Sequence, residues 1–415
     1  MGTIKEDAQR IIQSSIQRVL PDSAVKRALE GKTFSGEVIV IAIGKAAWNM
    51  ANAASEILGE RIKKGIVLTK YEHTQGNIKG FTLLEAAHPL PDKNTILGTE
   101  KIIEAISNLS SKDTVIFLVS GGGSALFEKP AGNLKLSDFL QITEQLLKCG
   151  ADIVEMNTIR KHLSAVKGGK FAALCAPSNV YTIALSDILG DRPDSIASGP
   201  TCADLSTCEE AFAIVEKYGL NLSQDMKNQL SIETPKEVSN NTMLITGSVK
   251  ELCLAAAQEA EALGYTPLIL STFVDCEAKE AGRLLASIGK TIQKDGTPIK
   301  SPCAIICGGE TVVRITGKGK GGRNQEVALS AAAAIAGMQD IVVGAVGSDG
   351  TDGPTDAAGG LVDGHTKDIL TAKGISIDAI LAENDSYKAL TLADALVMTG
   401  PTGTNVNDLY FLLCK

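Results

Sequence analysis

Glycine-rich loops that also carry lysine, serine or aspartate are the features of this sequence most able to do chemistry. Examples are Gly44-Lys45, the run SGGGS at 120–124 and the acidic stretch SDGTDGPTDAAGG at 348–360. Backbone N–H groups that such loops expose bind anions, and carboxylates beside them suit a Mg²⁺ that carries a nucleotide. For any one loop, a glycine that turns the chain before a helix cap is the simpler explanation. The set as a whole predicts a site that handles phosphate.

Another glycine-rich stretch, GKGKGGRNQE at 317–326, contains the spacing G-x-G-x-x-G from Gly317 onwards. This spacing is typical of dinucleotide-binding loops, although alone it is weak evidence. Here Lys318, Lys320 and Arg323 flank the glycines, and three cations in one turn suit phosphates or carboxylates. We interpret the stretch as an anion-binding turn, with Arg323 as its main functional residue.

Most of these polar residues come directly after apolar runs that predict strands. In parallel α/β sheets, ligands bind beyond the carboxyl ends of the strands, so we expect such residues to line the site. The candidates for contact with phosphate or substrate are Lys45, Gly121, Gly122, Gly123, Ser124, Asp187, Glu310, Arg323, Asp349 and Asn405.

Two kinds of cationic or titratable residue allow alternative interpretations. Lys45 opens a predicted helix, where the helix dipole disfavours a cation unless an anion is bound nearby; a surface lysine is the alternative. His88 precedes a proline and is either structural or close to substrate. His162 lies in a basic helix end beside Arg160, where we expect a surface group.

Several other catalytic motifs are absent from the sequence. Two G-K-T triplets resemble the end of a Walker A loop, but its first glycine is replaced by Lys26 in one and Leu284 in the other. G-x-S-x-G is missing as well. The nine cysteines form no C-x-x-C and the four histidines no H-x-x-x-H, so no zinc site is expected.

Composition narrows the class of partner. The net charge of −8 disfavours nucleic acid and anionic membranes, and aromatic residues make up only 4 % of the chain. No apolar run approaches the ~18 residues of a membrane span. The N-terminal 20 residues read as an amphipathic helix, not as a signal peptide. Scattered cysteines suit free thiols, so we expect a cytoplasmic protein.

Alternating strand and helix patterns predict an α/β protein. The expected strands are 38–43, 65–70, 81–87, 114–120, 180–186, 242–247, 266–272, 302–309, 311–316, 341–347 and 395–398, with helical patterns between most of them. Continuous Val/Ile/Leu runs indicate parallel strands that are covered on both faces.

The chain of 415 residues is too long for one ordinary core, so two domains are expected. A polar stretch at 231–241 predicts the boundary, which gives domains 1–235 and 236–415. Only Glu310 separates the runs 302–309 and 311–316, and a helical crossover cannot fit there. We therefore expect a hairpin or an antiparallel edge, and with it a mixed sheet in the second domain.

The motifs together resemble those of the two-domain glycerate 2-kinases, the class II glycerate kinases, whose C-terminal part is the MOFRL domain. The resemblance runs in order from about residue 5 to the C-terminus. It rests on GKAAW (44–48), HPLPD (88–92), SGGGSALFEKP (120–130), NTIRKHLSAVKGG (157–169), LSDILGD (185–191), ASGPT (197–201), GGETVV (308–313), GGRNQE (321–326), GSDGTDGPTDAAGG (347–360) and GPTGTNVNDL (400–409).

This resemblance implies a Rossmann-like N-terminal domain, a smaller α/β C-terminal domain and an active site in the cleft between them. It implies transfer of the γ-phosphoryl group of ATP to the 2-hydroxyl of D-glycerate, with Mg²⁺, to give 2-phosphoglycerate and ADP. Family members have also been labelled hydroxypyruvate reductases, and an NAD(P)H-dependent reductase is the alternative. A homodimer is one possibility, since the sequence leaves the oligomeric state open.

The resemblance also implies roles for individual residues. Lys45 and Arg323 match the lysine and arginine of the family's site, and we expect them to neutralise the transferred phosphoryl group or to hold the glycerate carboxylate. Either Asp187 or Asp349 is expected to accept the hydroxyl proton while the other helps to hold Mg²⁺. Backbone N–H groups of SGGGS are expected to bind phosphate, with Glu310 and Asn405 as further contacts.

Overall fold

The apolar run at 38–43 forms a strand that is buried along its whole length. It belongs to a computed structural model that describes residues 2–415. Ile39, Ile41 and Ile43 lie in one hydrophobic core, and the residues that alternate with them lie in a second core on the opposite face. Because successive side chains of a strand point to opposite faces, a continuous apolar run indicates a sheet covered on both sides.

Strands and helices alternate along most of the chain. The strands are β1 (Val38–Ile43), β2 (Ile62–Lys70), β3 (Phe81–Ala86), β4 (Thr114–Val119), β5 (Asn179–Leu185), β6 (Asn241–Gly247), β7 (Thr266–Val274), β8 (Cys303–Gly309), β9 (Ile341–Gly347), β10 (Gly359–Asp363), β11 (Leu396–Val397) and β12 (Asp408–Cys414). The helices are α1 (Ile4–Val19), α2 (Pro21–Leu29), α3 (Ala47–Leu58), α4 (Lys93–Ala105), α5 (Gly123–Leu126), α6 (Leu136–Lys148), α7 (Ile153–Leu163), α8 (Lys170–Cys175), α9 (Cys208–Tyr218), α10 (Gln224–Leu230), α11 (Val249–Ala262), α12 (Ala278–Asp295), α13 (Arg323–Ala334), α14 (Thr366–Ala372), α15 (Ile377–Ala382) and α16 (Ser386–Leu392). Among the described residues, none of these helices has both the length and the apolar character needed to cross a membrane.

The chain forms two compact units. The first comprises Ala24–Thr246, and the second combines the residues up to Ser23 with Gly247–Lys415. These limits differ from the domains expected at 1–235 and 236–415 chiefly in the N-terminal helix. Its apolar face, which includes Ile11, packs into the same core as Leu252 and Val342. An amphipathic pattern predicts that a helix has a buried face, but it does not say which core that face will join.

The first unit is built on a six-stranded parallel sheet in the order β3-β2-β1-β4-β5-β6. This is the strand order of Rossmann-like, doubly wound proteins, and the prediction of such a fold is confirmed. The order reverses between β1 and β4, which are direct neighbours. Ligands of such sheets bind beyond the carboxyl ends of the strands at this reversal. The loops that begin at Gly44 and Ser120 lie at that point.

The second unit contains a six-stranded mixed sheet in the order β11-β10-β9-β12-β8-β7. The mixed sheet was predicted, but the predicted hairpin of 302–309 with 311–316 is wrong. Residues 311–316 form no strand beyond an isolated bridge at Val312, and β12 is the antiparallel partner of β8. Ile315 is exposed, so the apolar pattern of this segment does not reflect burial. The sequence analysis missed β12 and also β10, both of which lie in glycine-rich or polar surroundings.

Candidate active site

Two loops of the first unit are bonded to each other where the strand order reverses. The backbone N–H of Lys45 donates to the carbonyl of Gly121 at 2.9 Å, and that of Ala46 donates to Ser120 Oγ at 3.0 Å. Ser120 N–H in turn donates to the carbonyl of Ile43 at 3.1 Å. Hydrogen bonds therefore hold the loop after β1 and the loop after β4 together, and Lys45 is exposed at their surface.

Glycine is required in this structure because the two loops approach each other so closely. Gly44 has φ of +106°, and a Cβ there would lie 2.4 Å from the carbonyl oxygen of Ser120. Gly122 has φ of +83°, and a Cβ there would lie 2.9 Å from His88 Cδ2 and 3.3 Å from Lys45 Cε. An L side chain at either position would be strained and would collide. The backbone at Gly122 consequently lies directly beside two cationic or titratable side chains.

Asp187, the first charged residue after β5, lies against the same loop. A Cβ at Gly121 would lie 2.6 Å from Asp187 Oδ2, so the carboxylate is next to the loop backbone. Burial raises the pKa of Asp187, and the positive charge of Lys45 opposes that rise. Burial also lowers the pKa of His88, and Lys45 lowers it further. Lys45 and Asp187 are thus brought together, as the sequence analysis expected for strand-end residues, and His88, whose role it had left open, lies beside them.

A cavity of about 190 Å³ lies over this loop. Its lining includes His88, the backbone from Ser120 to Ala125, Asp187 and Arg160. Pockets for drug-sized ligands measure about 300–1,000 Å³, so this cavity suits a small acid or one part of a larger ligand. Glycine backbone, a carboxylate and a guanidinium together can bind and orient a small anion with a hydroxyl group.

Arg160 is a candidate that the sequence analysis did not select. Its Nε is buried and has no hydrogen-bond partner among the described residues. Burial lowers the pKa of Arg160, and the charge of Glu128 opposes this effect. A buried guanidinium N–H without a partner is costly, and an anionic ligand in the cavity would satisfy it. The available signal was its place in a basic helix, which we had assigned to the surface.

Lys167 supports the glycine loop from inside the first unit. Its side chain is fully buried, and its Nζ donates to the carbonyls of Ser124 and Phe127, both at 2.8 Å. Nζ also lies 3.2 Å from Oε2 of Glu128, which is fully buried as well. Burial lowers the pKa of Lys167, and Glu128 opposes this. The end of SGGGS is therefore held by a buried ion pair.

His162 is internal, so the expectation of a surface group there is wrong, and Lys170 nearby is partly buried. His162 is fully buried, and Lys170 Nζ donates to the carbonyls at positions 161, 162 and 164. Burial lowers the pKa of Lys170 to about 8. Its ammonium closes the C-terminus of α7, where a positive charge is favourable.

In the second unit, the mixed sheet brings several predicted residues to one edge. Because β12 runs antiparallel to both of its neighbours, Asp408 pairs with Gly309 of β8 and with Gly347 of β9. Glu310 follows Gly309 directly, and Asp349 follows Gly347 after one residue. Asn405 is exposed in the loop that leads into β12. This convergence could not be read from the sequence, because β12 had not been identified.

Arg323, the first residue of α13, is held at this edge by carboxylates. Its Nε and one terminal nitrogen donate to the two oxygens of Asp408, at 2.6 and 3.1 Å, and its other terminal nitrogen donates to Glu310 at 3.0 Å. Burial acts to lower the pKa of Arg323, but Asp408 outweighs it and raises the pKa. Tyr410 OH supports Asp408 with a further bond of 2.9 Å. These contacts use three of the five guanidinium N–H donors and leave two for a ligand.

The aspartates of the stretch 348–360 have separate environments. Asp349 is half-buried, and its Oδ1 accepts from the N–H of Thr351 at 3.0 Å. Asp352 is buried and accepts the first N–H groups of α13 at 3.1 and 2.9 Å, which fixes the start of the helix that carries Arg323. Asp356 accepts from Tyr387 OH at 2.7 Å. Asp349 and Asp352 therefore both lie near the start of α13, and of the two Asp349 is the less buried.

Gly317, Gly319 and Gly321 pack closely against the segment 383–386. The N–H groups of Gly317, Gly319 and Lys320 donate to acceptors of that segment at 2.9, 2.8 and 3.1 Å. The ammonium of Lys320 lies 4.6 Å from the ring centroid of Tyr387. A dinucleotide-binding loop offers its backbone N–H groups to a pyrophosphate. In this loop, the three N–H groups named above already donate hydrogen bonds to the protein itself.

A larger cavity of about 720 Å³ in the first unit has fewer charged groups that are available to a ligand. Its charged groups are already paired, with Lys161 at 3.3 Å from both Asp194 and Asp204 and with Lys217 at 2.6 Å from Glu155. The smaller cavity combines an unpaired guanidinium nitrogen with a carboxylate of raised pKa. On chemical grounds it is the better candidate for the site.

Comparison with protein-family models gives two matches. Residues 7–231 match a domain of unknown function, DUF4147, and residues 303–408 match the MOFRL family. The first match alone spans more than half of the chain.

Similar proteins cover nearly the whole chain. A D-glycerate 2-kinase of Thermotoga maritima is 50 % identical over 98 % of this chain and 97 % of its own length. The crystal structure of a glycerate kinase from Thermotoga maritima covers 99 % of both chains with a TM-score of 0.96 and 50 % identity. A putative hydroxypyruvate reductase of Agrobacterium vitis is 40 % identical over 98 % of this chain and 93 % of its own length.

We predict that Lys167→Met destabilises the first unit by about 3–5 kcal/mol, because it leaves the carboxylate of Glu128 buried without its counter-ion. The double variant Lys167→Met/Glu128→Leu should recover most of that loss, since no charge then remains unpaired. Denaturant unfolding of both variants and of the parent measures the difference. Equal stability of the single and double variants would show that the pair does not support the loop.

Proposed function

The chain belongs to the glycerate 2-kinase family with a C-terminal MOFRL domain, and on this premise we propose that it transfers the γ-phosphoryl group of ATP to the 2-hydroxyl of D-glycerate. The products are 2-phosphoglycerate and ADP, so the enzyme is an ATP-dependent kinase. The observation that supports this most is the small cavity at the strand reversal, lined by glycine backbone, Asp187 and Arg160.

We assign glycerate to this cavity because of its volume and its charges. About 190 Å³ suits a three-carbon acid, whereas a whole nucleotide needs more space. The unpaired Nε of Arg160 would bind the glycerate carboxylate. Lys45, exposed beside Gly122, would approach the phosphoryl group that is being transferred.

Asp187 is our choice for the general base. During transfer, the 2-hydroxyl oxygen forms a bond to the γ-phosphorus, the bond from phosphorus to the β–γ bridging oxygen breaks, and the hydroxyl proton passes to Asp187. A carboxylate whose pKa burial raises is a better proton acceptor than an ordinary aspartate. Phosphoryl transfer otherwise needs mainly positioning and charge neutralisation, which fits a site made of backbone N–H groups and cations.

The edge that carries Arg323 is the candidate phosphate-binding surface of the second unit. The two guanidinium N–H groups that carboxylates do not use can bind phosphate oxygens, while Asp408 and Glu310 fix the guanidinium plane. Asp349 and Asn405 offer oxygen donors at the same edge. When bound, Mg²⁺ would supply positive charge to the phosphates, and, with Asp187 as the base, the carboxylate oxygens of Asp349 suit it as ligands.

The reductase alternative receives less support from the structure. It came from the labels of family members, and the sequence feature that would fit it is the G-x-G-x-x-G spacing. Three backbone N–H groups of that loop are hydrogen-bonded to the segment 383–386. A cytoplasmic location and a homodimer stay predictions from the sequence.

An assay with ATP, Mg²⁺ and D-glycerate, with the product isomer identified by phosphorus NMR, tests the proposal. We expect Lys45→Ala and Arg323→Ala each to lower ADP formation by about 100-fold or more, because each removes a cation from the transferred phosphate. Lys64→Ala, at an exposed lysine of β2, is the control and should retain activity. No phosphorylated product from glycerate, with oxidation of NAD(P)H by hydroxypyruvate instead, would favour the reductase.

For Arg160→Met we predict that the KM for glycerate rises about tenfold or more, while the KM for ATP changes little. The reason is that a charge-assisted hydrogen bond to the carboxylate contributes about 1.5–3 kcal/mol. Arg192→Met is the matched control, since that arginine is exposed and pairs with Asp194 at 3.0 Å. Steady-state kinetics with each substrate varied gives both constants. A rise confined to ATP would contradict the assignment of the cavity to glycerate.

The pH dependence of kcat/KM should show the raised pKa of Asp187. The base must be ionised, so activity is expected to fall as the pH drops through a value above the ordinary ~3.9 of an aspartate. Asp187→Asn should remove the activity, whereas Asp349→Asn should keep this acid limb in whatever activity remains. An acid limb at or below about pH 4 would exclude Asp187 as the base.

A further inference from the structure

Three side chains of the kind that bind metal ions converge in the first unit, outside the small cavity. His162 lies near the end of α7, Cys208 begins α9, and Glu233 follows α10. One donor atom of each lies within 4.8 Å of those of the other two. The three positions are far apart in the sequence and match no metal-binding spacing, so the sequence analysis predicted no zinc site.

His162 is oriented as metal-binding histidines are. Its ring is fully buried, and Nδ1 lies 2.8 Å from the carbonyl oxygen of Thr158. Because a carbonyl only accepts hydrogen bonds, Nδ1 carries the proton, and in the neutral ring Nε2 offers a lone pair. Nε2 is buried, has no hydrogen-bond partner among the described residues and lies 4.0 Å from Glu233 Oε2. A backbone carbonyl on Nδ1 is the usual support of a histidine that binds metal through Nε2.

Cys208 and Glu233 are already joined to each other. Glu233 Oε1 accepts the backbone N–H of Cys208 at 2.8 Å, which keeps the carboxylate over the start of α9. The Cys208 thiol is partly buried and belongs to the first residue of an 11-residue helix. Burial and the carboxylate of Glu233 raise the pKa of this thiol, so a metal ion has to displace its proton on binding.

We propose that His162 Nε2, Cys208 Sγ and a carboxylate oxygen of Glu233 bind one transition-metal ion of the zinc class, with water as the fourth ligand. Nitrogen, sulfur and oxygen donors in a set of three are typical of Zn²⁺, whereas Mg²⁺ and Ca²⁺ take oxygen ligands. On binding, the three metal–ligand bonds form and the thiol proton leaves to solvent. The ion would connect the end of α7, the start of α9 and the segment after α10.

Lys236 competes with a cation at this site. Its ammonium lies 2.6 Å from Glu233 Oε2 and also donates to Thr234 Oγ1 at 3.1 Å. Tetrahedral zinc bonds place ligand atoms about 3.3–3.7 Å apart, so the carboxylate has to rotate towards the metal. The side chain of Glu233 is 48 % exposed and can do so. Lys236 therefore sets the affinity of the site.

Cobalt is the probe for this proposal, because a Co²⁺–thiolate bond gives a charge-transfer absorption band that oxygen and nitrogen ligands alone do not give. The full chain, freed of metal with a chelator, is titrated with Co²⁺ and then with Zn²⁺. We expect one equivalent of Co²⁺ to produce the band and Zn²⁺ to abolish it. No thiolate band in the parent protein would overturn the proposal.

Variants assign the ligands. Cys208→Ser should abolish the band, and Glu233→Gln should weaken Co²⁺ binding about tenfold or more; both positions are accessible enough for the fold to persist, which circular dichroism checks. Cys276→Ser is the matched control at an exposed cysteine and should leave the band unchanged. A band that persists in Cys208→Ser or disappears in Cys276→Ser means adventitious binding and overturns the proposal.

The variant Lys236→Met provides a further test in which no metal ligand is removed. Without the ammonium, Glu233 is free to bind the metal, and we expect Co²⁺ affinity to increase several-fold. Since the lysine is not a ligand, a merely adventitious cysteine complex would not respond to this change. Unchanged or weaker binding in Lys236→Met would contradict the role given to Glu233.

Discussion

The buried ion pair of Lys167 with Glu128 is the interaction on which the glycine loop depends. Neither charge can reach water, so each needs a partner. Lys167 directs its remaining donors to the carbonyl of Ser124, at the end of SGGGS, and to that of Phe127. The carboxylate of Glu128 also interacts electrostatically with Arg160, whose Nε has no hydrogen-bond partner among the described residues. One internal carboxylate therefore both fixes the loop and leaves a cation available in the cavity beside it.

A comparable use of carboxylates organises the second unit. Asp408 is buried at the start of β12 and binds one edge of the Arg323 guanidinium with both of its oxygens, while Asp352 caps the helix that begins with this arginine. Fixing a guanidinium in advance lowers the entropy lost when it binds a phosphate. Glu310 and Asp408 both face Arg323. The local charge around this arginine is therefore less positive than the nearby lysines in the sequence suggest.

Much of the fold was predictable because strands buried on both faces carry their signal in local sequence. The runs at 38–43, 114–120 and 180–186 became neighbouring strands, and the residues after them met at one edge as parallel topology requires. The prediction of a strand at 311–316 failed because the apolar side chains of Val312 and Ile315 are exposed. Instead, β12 completes the sheet from the far end of the chain. Local pattern carries no information about which distant segment becomes a partner.

The sequence by itself determined the α/β class and the family. It also pointed to most of the residues around the small cavity and the Arg323 edge, since these follow from local motifs and from the positions of strand ends. Only the tertiary structure decided which charges are used internally and which are available to a ligand. It placed Lys167 inside, left Arg160 Nε unpaired and brought His162 to Cys208 and Glu233. The physical reason is that pairing and desolvation depend on distances between residues far apart in the chain, and spacing along the sequence does not record those distances.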